Sequence, residues 1–587
     1  MGCCKSKRRP SSSAAGDEDE HLTDVEVEAE PTRRSRFSLL SAASGSAPLA
    51  PATDVTSSST PPQQVPEAQL VKEAAQLHPL LGLAVSAGGK ASKSKRFGAN
   101  NFVIENPKTV KLDEYYEVMW DEKLGEGSFG RINPCRNRST GMLRALKTVR
   151  KMRKSVTELV RKEISIMKQM AHPNIVKLYE TFEDATFIYM VMEHCSGGDL
   201  MEIISEKGRV TEGQAAGVMQ QVLRGANFIH QNHVCHRDLK LENLMLLSDE
   251  LIERNILKII DFGLAVDCPP GGAITTKAGG PYYCAPQVLA GYYDTRADVW
   301  TLGVVMYTIL CGYPPFIGES DAEVLTKVRL GVYSFTAADW KSISEEAKDL
   351  IMNMLKMSPH DRLSCEEALK HRWFTSQLPP VKIGIPNNMI ENLRMYGHSP
   401  RFKKAALFLV GVQLEAMATK ANHDVFTTLD SNGEGILTLE ELREGLMKSG
   451  ISDFNEADAI VKGVDYDKNG AVGYGEFIAA SMDKKLYAQD EVCWLAFRLF
   501  DRQGDGTISK KEISAVLKDR TIPVEKEMEA LGVAPNAKID FNKFVKIMRK
   551  NYRGDQTGIR QAASNVPDGV DAAMLNNVTT SEPVARE

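Results

Sequence analysis

Cysteine is scarce, with 10 in 587 residues, and apart from the adjacent Cys3 and Cys4 the thiols are scattered from Cys135 to Cys493 without a CxxC pair. That excludes a dense disulfide framework and is the usage of a reducing compartment. Long apolar runs are missing too. The longest, "LHPLLGLAVSAGG" and "TLGVVMYTILCG", fall short of the ~18 to 20 residues a membrane-spanning helix needs, so no transmembrane segment is expected. An excess of charge of one sign is nearly absent: the net charge is -5 with 25% charged residues, which argues against a chain built to grip nucleic acid. What is present, 43% hydrophobic residues on a chain too long for one core, describes a soluble protein of about two to four domains.

The start reads "MGCCKSKRR", with Gly2 after the initiator Met and Ser6 where a myristoylation signal wants a small hydroxyl residue. One acyl chain holds a membrane only marginally; Cys3 and Cys4 offer palmitoylation, and Lys5, Lys7, Arg8 and Arg9 face anionic lipid. Attachment to the cytosolic face of a membrane is therefore expected. The bland alternative is a solvated basic start with two free thiols. From Pro10 to Asn106 the text is rich in Ser, Ala, Pro and Thr with no sustained period, and residues 1–106 read as a disordered, lipidated extension, with a short helix conceivable at Leu77 to Val85. Order is expected from near Tyr116.

There "KLGEGSFGRI" places Gly125, Gly127 and Gly130 between Leu124 and Ile132. Glycines at this spacing let a backbone turn fold closely over phosphates, where a Cβ would obstruct. A dinucleotide fingerprint would open a helix here. The β-friendly "RINPCR" and then "LRALKTV" with Lys147 favour a hairpin instead. "RKEISIM" carries Glu163, "CHRDLKLENLML" carries Asp238, Lys240 and Asn243, and "IIDFGLA" carries Asp261. In this order they resemble the eukaryotic protein kinase family over about Tyr116 to Phe374. The resemblance implies ATP and magnesium as cofactors. Lys147 would hold the α- and β-phosphates with Glu163 as its ion-pair partner, and Asp238 would accept the acceptor's proton. Lys240 would steady the transferred phosphate, while Asn243 and Asp261 would bind magnesium. Lys240, two places after Asp238, resembles serine/threonine kinases. Met192, Glu193, His194 and Cys195 match the hinge bordering adenine. Asp199 and Glu242 match carboxylates that meet the ribose or an arginine before the acceptor, so basic protein substrates are expected.

After "EALKHRWF", a linker with Pro379, Pro380 and Pro386 leads to "RFKKAALFLVGVQLEAMATK". There Phe402, Ala406, Leu409, Val410, Leu414 and Met417 recur at helical spacing behind a basic start. Downstream, at a period of about 35 residues, come "DSNGEGILTLEE", "DYDKNGAVGYGE" and "DRQGDGTISKKE". Calcium wants six to eight oxygens, and carboxylates at alternating positions converge on it while a glycine at the sixth makes the turn. The first loop would use Asp430, Asn432, Glu434, Ile436 and Glu441. The second would use Asp465, Asp467, Asn469, Ala471 and Glu476, and the third Asp501, Gln503, Asp505, Thr507 and Glu512, with the seventh position giving a backbone carbonyl. Glu434 and Gln503 depart from the strict pattern and should weaken binding. Ile436, Leu437, Val472 and Ile508 are placed to pair across loops. A fourth hand, "LGVAPNAKIDFNKF", aligns through Ile539 but has Gly532, Ala534 and Asn536 at ligand positions and Lys543 where the bidentate Glu belongs, so three calcium ions are expected.

Kinase domain, junction helix and four hands in this order resemble the calcium-dependent protein kinases of plants and protists, continuously from Tyr116 to about Tyr552. The resemblance implies an α+β bilobal kinase fold at 116–374, an autoinhibitory junction at 375–420, an all-α calmodulin-like domain at 421–552 and a flexible tail at 553–587. It implies a monomer in which calcium on the hands relieves a block by the junction. "KAGGPYYCAPQVL" departs from the family, with Gly280 for Thr and Gln287 for a Glu that would pair with Arg362. Two readings follow: an active calcium-gated kinase, or a calcium-responsive binding protein whose kinase fold has lost its chemistry. The complete set of phosphate- and metal-facing residues favours the first.

Overall fold

The computed structural model describes residues 103–551 apart from 107, 128–129, 152–153, 379–383, 414–419, 502, 518–523 and 535–536. Gly2, Cys3, Cys4, the Leu77 to Val85 run, Leu414, Met417 and Asn536 lie outside the described residues or their described side chains.

A seven-stranded sheet forms the small lobe, with strands β1 (Ile104–Glu105), β2 (Tyr116–Val118), β3 (Gly125–Gly127), β4 (Gly130–Asn137), β5 (Leu143–Arg150), β6 (Leu178–Glu183) and β7 (Phe187–Met192). Their order is β1-β6-β7-β5-β4-β2, and β3 returns on β4, pairing Gly125 with Ile132 and Gly127 with Gly130. The expected hairpin is therefore formed. A Cβ on Gly130 would sit 2.1 Å from the Thr148 carbonyl, so only glycine allows β4 to lie this close to β5. One boundary needs correction. Order does not wait for Tyr116: β1 pairs in parallel with β6, Val103 is buried, and the Asn106 amide donates to Glu180 Oε2 at 3.2 Å. Two residues give no sequence signal of their own, because what makes them a strand is the edge they complete.

Helix α1 (Lys154–Met167) packs beside this sheet, burying Val160, Glu163 and Ile164. The large lobe is helical, with α2 (Leu200–Lys207) and α3 (Glu212–Gln231), the latter started by a Thr211/Gln214 capping box. Helix α4 (Arg296–Cys311) is apolar all round because it is buried all round, with Trp300 stacked on Phe316. Asp238 and Lys240 precede a 3-10 turn (Leu241–Asn243) that ends on Asn243, and the short strands Leu244–Leu246 and Leu257–Ile259 pair just beyond it.

The junction forms α5 (Asn387–Gly397) and α6 (Arg401–Gln413). Ile390, Leu393, Phe402, Ala406, Leu409 and Val410 share one core with the calcium-loop helices, so in this arrangement the junction is engaged by the calcium module. The four hands use α7 (Lys420–Leu429), α8 (Leu439–Lys448), α9 (Phe454–Val464), α10 (Tyr474–Ser481), α11 (Asp490–Phe500), α12 (Lys510–Leu517), α13 (Val524–Ala530) and α14 (Phe541–Arg549). Between them β8 (Ile436–Thr438) pairs with β9 (Ala471–Gly473), and β10 (Thr507–Ile508) with β11 (Ile539–Asp540). Leu437 thus opposes Val472 and Ile508 opposes Ile539, the pairing expected of hands that work in twos.

Candidate active site and calcium loops

The interlobe site begins with Lys147 on β5, whose Nζ lies 2.6 Å from Glu163 Oε1 on α1 and 3.4 Å from Asp261 Oδ1. Burial alone would discharge this lysine, but the two carboxylates outweigh it and hold its pKa up. One ammonium thus joins strand, helix and large lobe. Asp261 is in left-handed backbone with φ 59°, and its Oδ1 accepts from Gly263 N at 3.1 Å. Such strain persists only where the surroundings over-determine it.

The catalytic loop is pinned from below. Buried Asp298 on α4 accepts from His236 N at 2.9 Å and Arg237 N at 2.8 Å, and holds His230 at 2.9 Å. With Arg237 at φ 68°, the chain turns so that Asp238 meets Lys240 Nζ at 3.1 Å and Asn243 Nδ2 at 2.8 Å. Ile260 N donates to the Asn243 carbonyl at 2.9 Å, which ties the Asp261 segment to the same loop. Asp238, Lys240, Asn243 and Asp261 are brought together as their order implied. The oxygens of Asn243 and Asp261 are hard donors of the kind magnesium takes.

In the segment matched to the hinge, the buried Glu193 side chain pairs with Lys258 at 2.9 Å, so its carboxylate is already taken. Burial pushes the Cys195 thiol well up. Leu124, just before β3, is exposed. Asp199 is buried and caps α2, accepting from Glu202 N at 2.9 Å. Glu242 Oε2 is buried with no hydrogen-bond partner among the described residues. In the activation segment, Arg237 Nη1 donates to Thr276 Oγ1 at 2.7 Å.

The two departures from the family lie beside this machinery. Gly280 borders a cavity of about 20 Å³ lined by Arg237, Asp238, Lys240 and Tyr283, and a Cβ there would meet nothing within 4 Å. Gln287 Oε1 accepts from Arg362 Nη2 at 3.2 Å, as an amide can, but its Nε2 is buried without a hydrogen bond among the described residues.

All three loops expected to take calcium are wrapped. Asp430 accepts from Glu434 N and Gly435 N at 3.0 and 2.9 Å, Asp465 from Asn469 N and Gly470 N at 3.2 and 3.1 Å, and Asp501 from Asp505 N and Gly506 N at 3.1 and 2.8 Å. Glu441, Glu476 and Glu512 close them on Ser431 N, Tyr466 N and Gln503 N. Asn432 Oδ1 accepts from Glu434 N, and Ile436, Ala471 and Thr507 stand in the paired strands. In the second loop Asp465, Asp467 and Glu476 converge with ligand oxygens within 4.8 Å, a fit for a hard divalent ion. Burial together with Asp467 and Asp465 pushes Glu476 up to about 8, which is the cost of collecting acids around a space meant for a cation. In the fourth hand, Lys543 N donates to Asp540 Oδ1 as an ordinary helix cap.

Sequence reading missed two contacts that join this module to the kinase lobes. On the large lobe, Asn227 Nδ2 of α3 donates to the Gly433 carbonyl of the first loop at 3.0 Å, and a Cβ on Gly435 would strike Phe228 of α3 at 2.8 Å, and His172 of the segment between α1 and β6 at 2.4 Å. On the small lobe, the Arg498 guanidinium of α11 lies 3.7 Å from the Tyr115 ring centre and 4.0 Å from buried Glu180, which Tyr116 also holds at 2.9 Å. No local signal marks these residues, since their partners are remote in sequence.

Comparison with known proteins agrees with this geometry. The protein kinase domain model matches residues 118–374 and an EF-hand model matches 495–517. Calcium-dependent protein kinase 3 of Plasmodium berghei (strain Anka) is 36% identical over 480 residues, covering 79% of this chain and 85% of the relative. The kinase of the same name from Plasmodium yoelii yoelii is 38% identical over 73% of this chain and 79% of its own. Calcium-dependent protein kinase 5 of Plasmodium falciparum (isolate 3D7) is 35% identical over 75% and 78%. With both modules matched and the relatives aligned over most of their length, the chain belongs to the calcium-dependent protein kinases.

Proposed function

We propose that Asp238 is the base that takes the proton of a substrate Ser or Thr hydroxyl as the hydroxyl oxygen bonds to the γ-phosphorus of ATP and the bond from that phosphorus to the β–γ bridging oxygen breaks, releasing ADP. Lys240 neutralises charge on the moving phosphoryl group, and Lys147, fixed by Glu163, holds the α- and β-phosphates beneath Gly125, Gly127 and Gly130. Asn243 and Asp261 would hold magnesium, which would supply the remaining charge neutralisation. The observation that carries this reading is the contact of Lys147 with both Glu163 and Asp261, three segments meeting on one ammonium. The intact set stands against a chain that has lost its chemistry. Substrates carry basic residues near the acceptor, supported by buried, unpartnered Glu242 Oε2 beside the catalytic loop. The junction gates access, three loops take calcium, and the chain works as a monomer held by acyl groups on Gly2, Cys3 and Cys4 to an anionic membrane face.

The test is phosphate transfer to a basic Ser/Thr peptide with calcium and with chelator, beside an Asp261→Asn control. Transfer with calcium alone is expected; none in either condition, with ATP still bound, sinks the roles given to these residues, and equal transfer in both rejects the gate. Gly2→Ala is expected to release the protein from membranes, and unchanged fractionation counts against the anchor.

A further inference from the structure

At their ligand positions the three calcium loops offer equal numbers of side-chain carboxylates: Asp430, Glu434 and Glu441; Asp465, Asp467 and Glu476; Asp501, Asp505 and Glu512. They are not arranged alike. Among the described residues, only the second loop brings three acids to within 4.8 Å of one another. In the third, Asp505 Oδ2 instead faces Lys538 Nζ at 2.8 Å, while its Oδ1 accepts from Thr507 N and Oγ1 at 2.9 and 2.6 Å. Lys538 comes from the fourth hand, one residue before Ile539, whose pairing with Ile508 fixes it opposite the third loop. Its ammonium also lies in the field of Glu512 and Asp501. The fourth hand, with Gly532, Ala534 and Lys543 where ligands would be, has no use for a calcium ion of its own.

We propose that Lys538 is a resident cation of the third loop, holding a calcium ligand in the ion's absence and setting this loop's affinity below that of the second. Calcium must take Asp505 from the ammonium and then sit near a positive charge, so both the lost pair and the new repulsion oppose it. The pair is half exposed, which keeps the effect modest and sensitive to salt. The third loop then fills after the second as calcium rises. Its entering helix α11 carries Arg498 against the small lobe, so the late-filling site is the one joined to that lobe. This rests on the reading that the third loop binds calcium.

The full chain contains a reporter. Trp494 on α11 stacks on Phe497 at 5.6 Å and meets Phe541 of α14 edge-on at 5.1 Å, so its emission follows the third and fourth hands, with Trp494→Phe isolating its share. Calcium titrations of Lys538→Arg, Lys538→Met and Lys538→Glu are compared with the unaltered chain. Arg is expected to leave the midpoint in place, Met to lower it about threefold to fivefold, the size of one exposed ion pair, and Glu to lower it further. The Met gain should shrink as salt is raised, which loss of mere packing would not show. Equal midpoints for Arg, Met and Glu overturn the proposal alone. A Trp494 titration unmoved by Asp501→Ala overturns the third loop's calcium assignment and the proposal with it.

Discussion

Replacing Gln287 by Glu should stabilise the kinase domain, and the size of the gain follows from what surrounds Arg362. Its guanidinium is 1% exposed and donates from Nε and Nη2 to the Lys356 carbonyl at 3.0 and 2.8 Å, and from Nη1 to the Arg296 carbonyl at 2.6 Å. Burial drives its pKa down to about 10, a measure of how poorly carbonyls replace a countercharge. Gln287 adds one acceptor and one orphaned buried NH2, and such an orphan costs ~1 to 3 kcal/mol. Gln287→Glu removes the orphan and turns the contact into a charge-assisted one, roughly twice as strong. Desolvating the new carboxylate opposes this, but the larger desolvation, that of the arginine, is already borne. A net gain of about 2 kcal/mol is expected, which for a domain of this size is about 4 to 8 °C in melting temperature. Differential scanning calorimetry of the full chain measures it, with Gln287→Met, which keeps the volume but loses the acceptor, expected to melt below the unaltered protein. A Glu variant melting no higher than the Met variant would refute the reasoning, because it would mean the buried cation does not feel position 287.

Gly280→Thr enters an open cavity beside Asp238 and Lys240, so it should fold normally and raise peptide kcat more than it changes the KM for ATP; steady-state kinetics showing the reverse would mean the defect lies elsewhere. Lys468 holds φ 56° at the loop position where the first and third loops have Gly433 and Gly504, at φ 68° and 69°. Lys468→Gly should therefore stabilise the calcium-free module by about 1 kcal/mol, read as a higher melting temperature. Glu476, raised from its usual 4.5 to about 8, keeps a proton in the folded calcium-free state that the unfolded chain has released. Stability from this group is full below pH 4.5 and lost as pH rises through about 8, so melting without calcium should fall between about pH 6 and pH 8; a rise over that window would contradict the sign.

What could be read from the sequence was local chemistry at fixed spacing. The glycines of β3 and β4 announce a close-lying hairpin, and the calcium loops announce themselves because every ligand lies within one turn of chain. The Lys147, Glu163 and Asp261 contact was legible only through the order of its segments, since spacing alone leaves three surface charges. Other features had no such signal. Glu105 and Ile104 become a strand only at the β6 edge, and Asn227 bonds a carbonyl 206 residues away. Arg498 and Lys538 read as solvated charges until the fold sets Tyr115 and Asp505 beside them.

Those late-appearing contacts bear on how a calcium module can influence phosphoryl transfer at a site none of its loops supplies. The pair that must be kept in register is Lys147, on the small lobe, and Asp261, on the large lobe, now 3.4 Å apart. The module touches the small lobe through Arg498 on Tyr115 and Glu180, with Met142 packed on its core, and the large lobe through Gly433 and Gly435 on Asn227 and Phe228. Its contacts thus fall on both lobes, and attachment at two such points restricts the lobes' relative motion. Both points lie at calcium loops: Gly433 and Gly435 belong to the first, and Arg498 ends the helix that enters the third. Ordering those loops would stiffen the two attachments at once, whereas the second loop has its acids already converged. Lobe register is then most sensitive to the loops that face a kinase lobe, and loss of the first or third should cost more activity than its share of bound calcium.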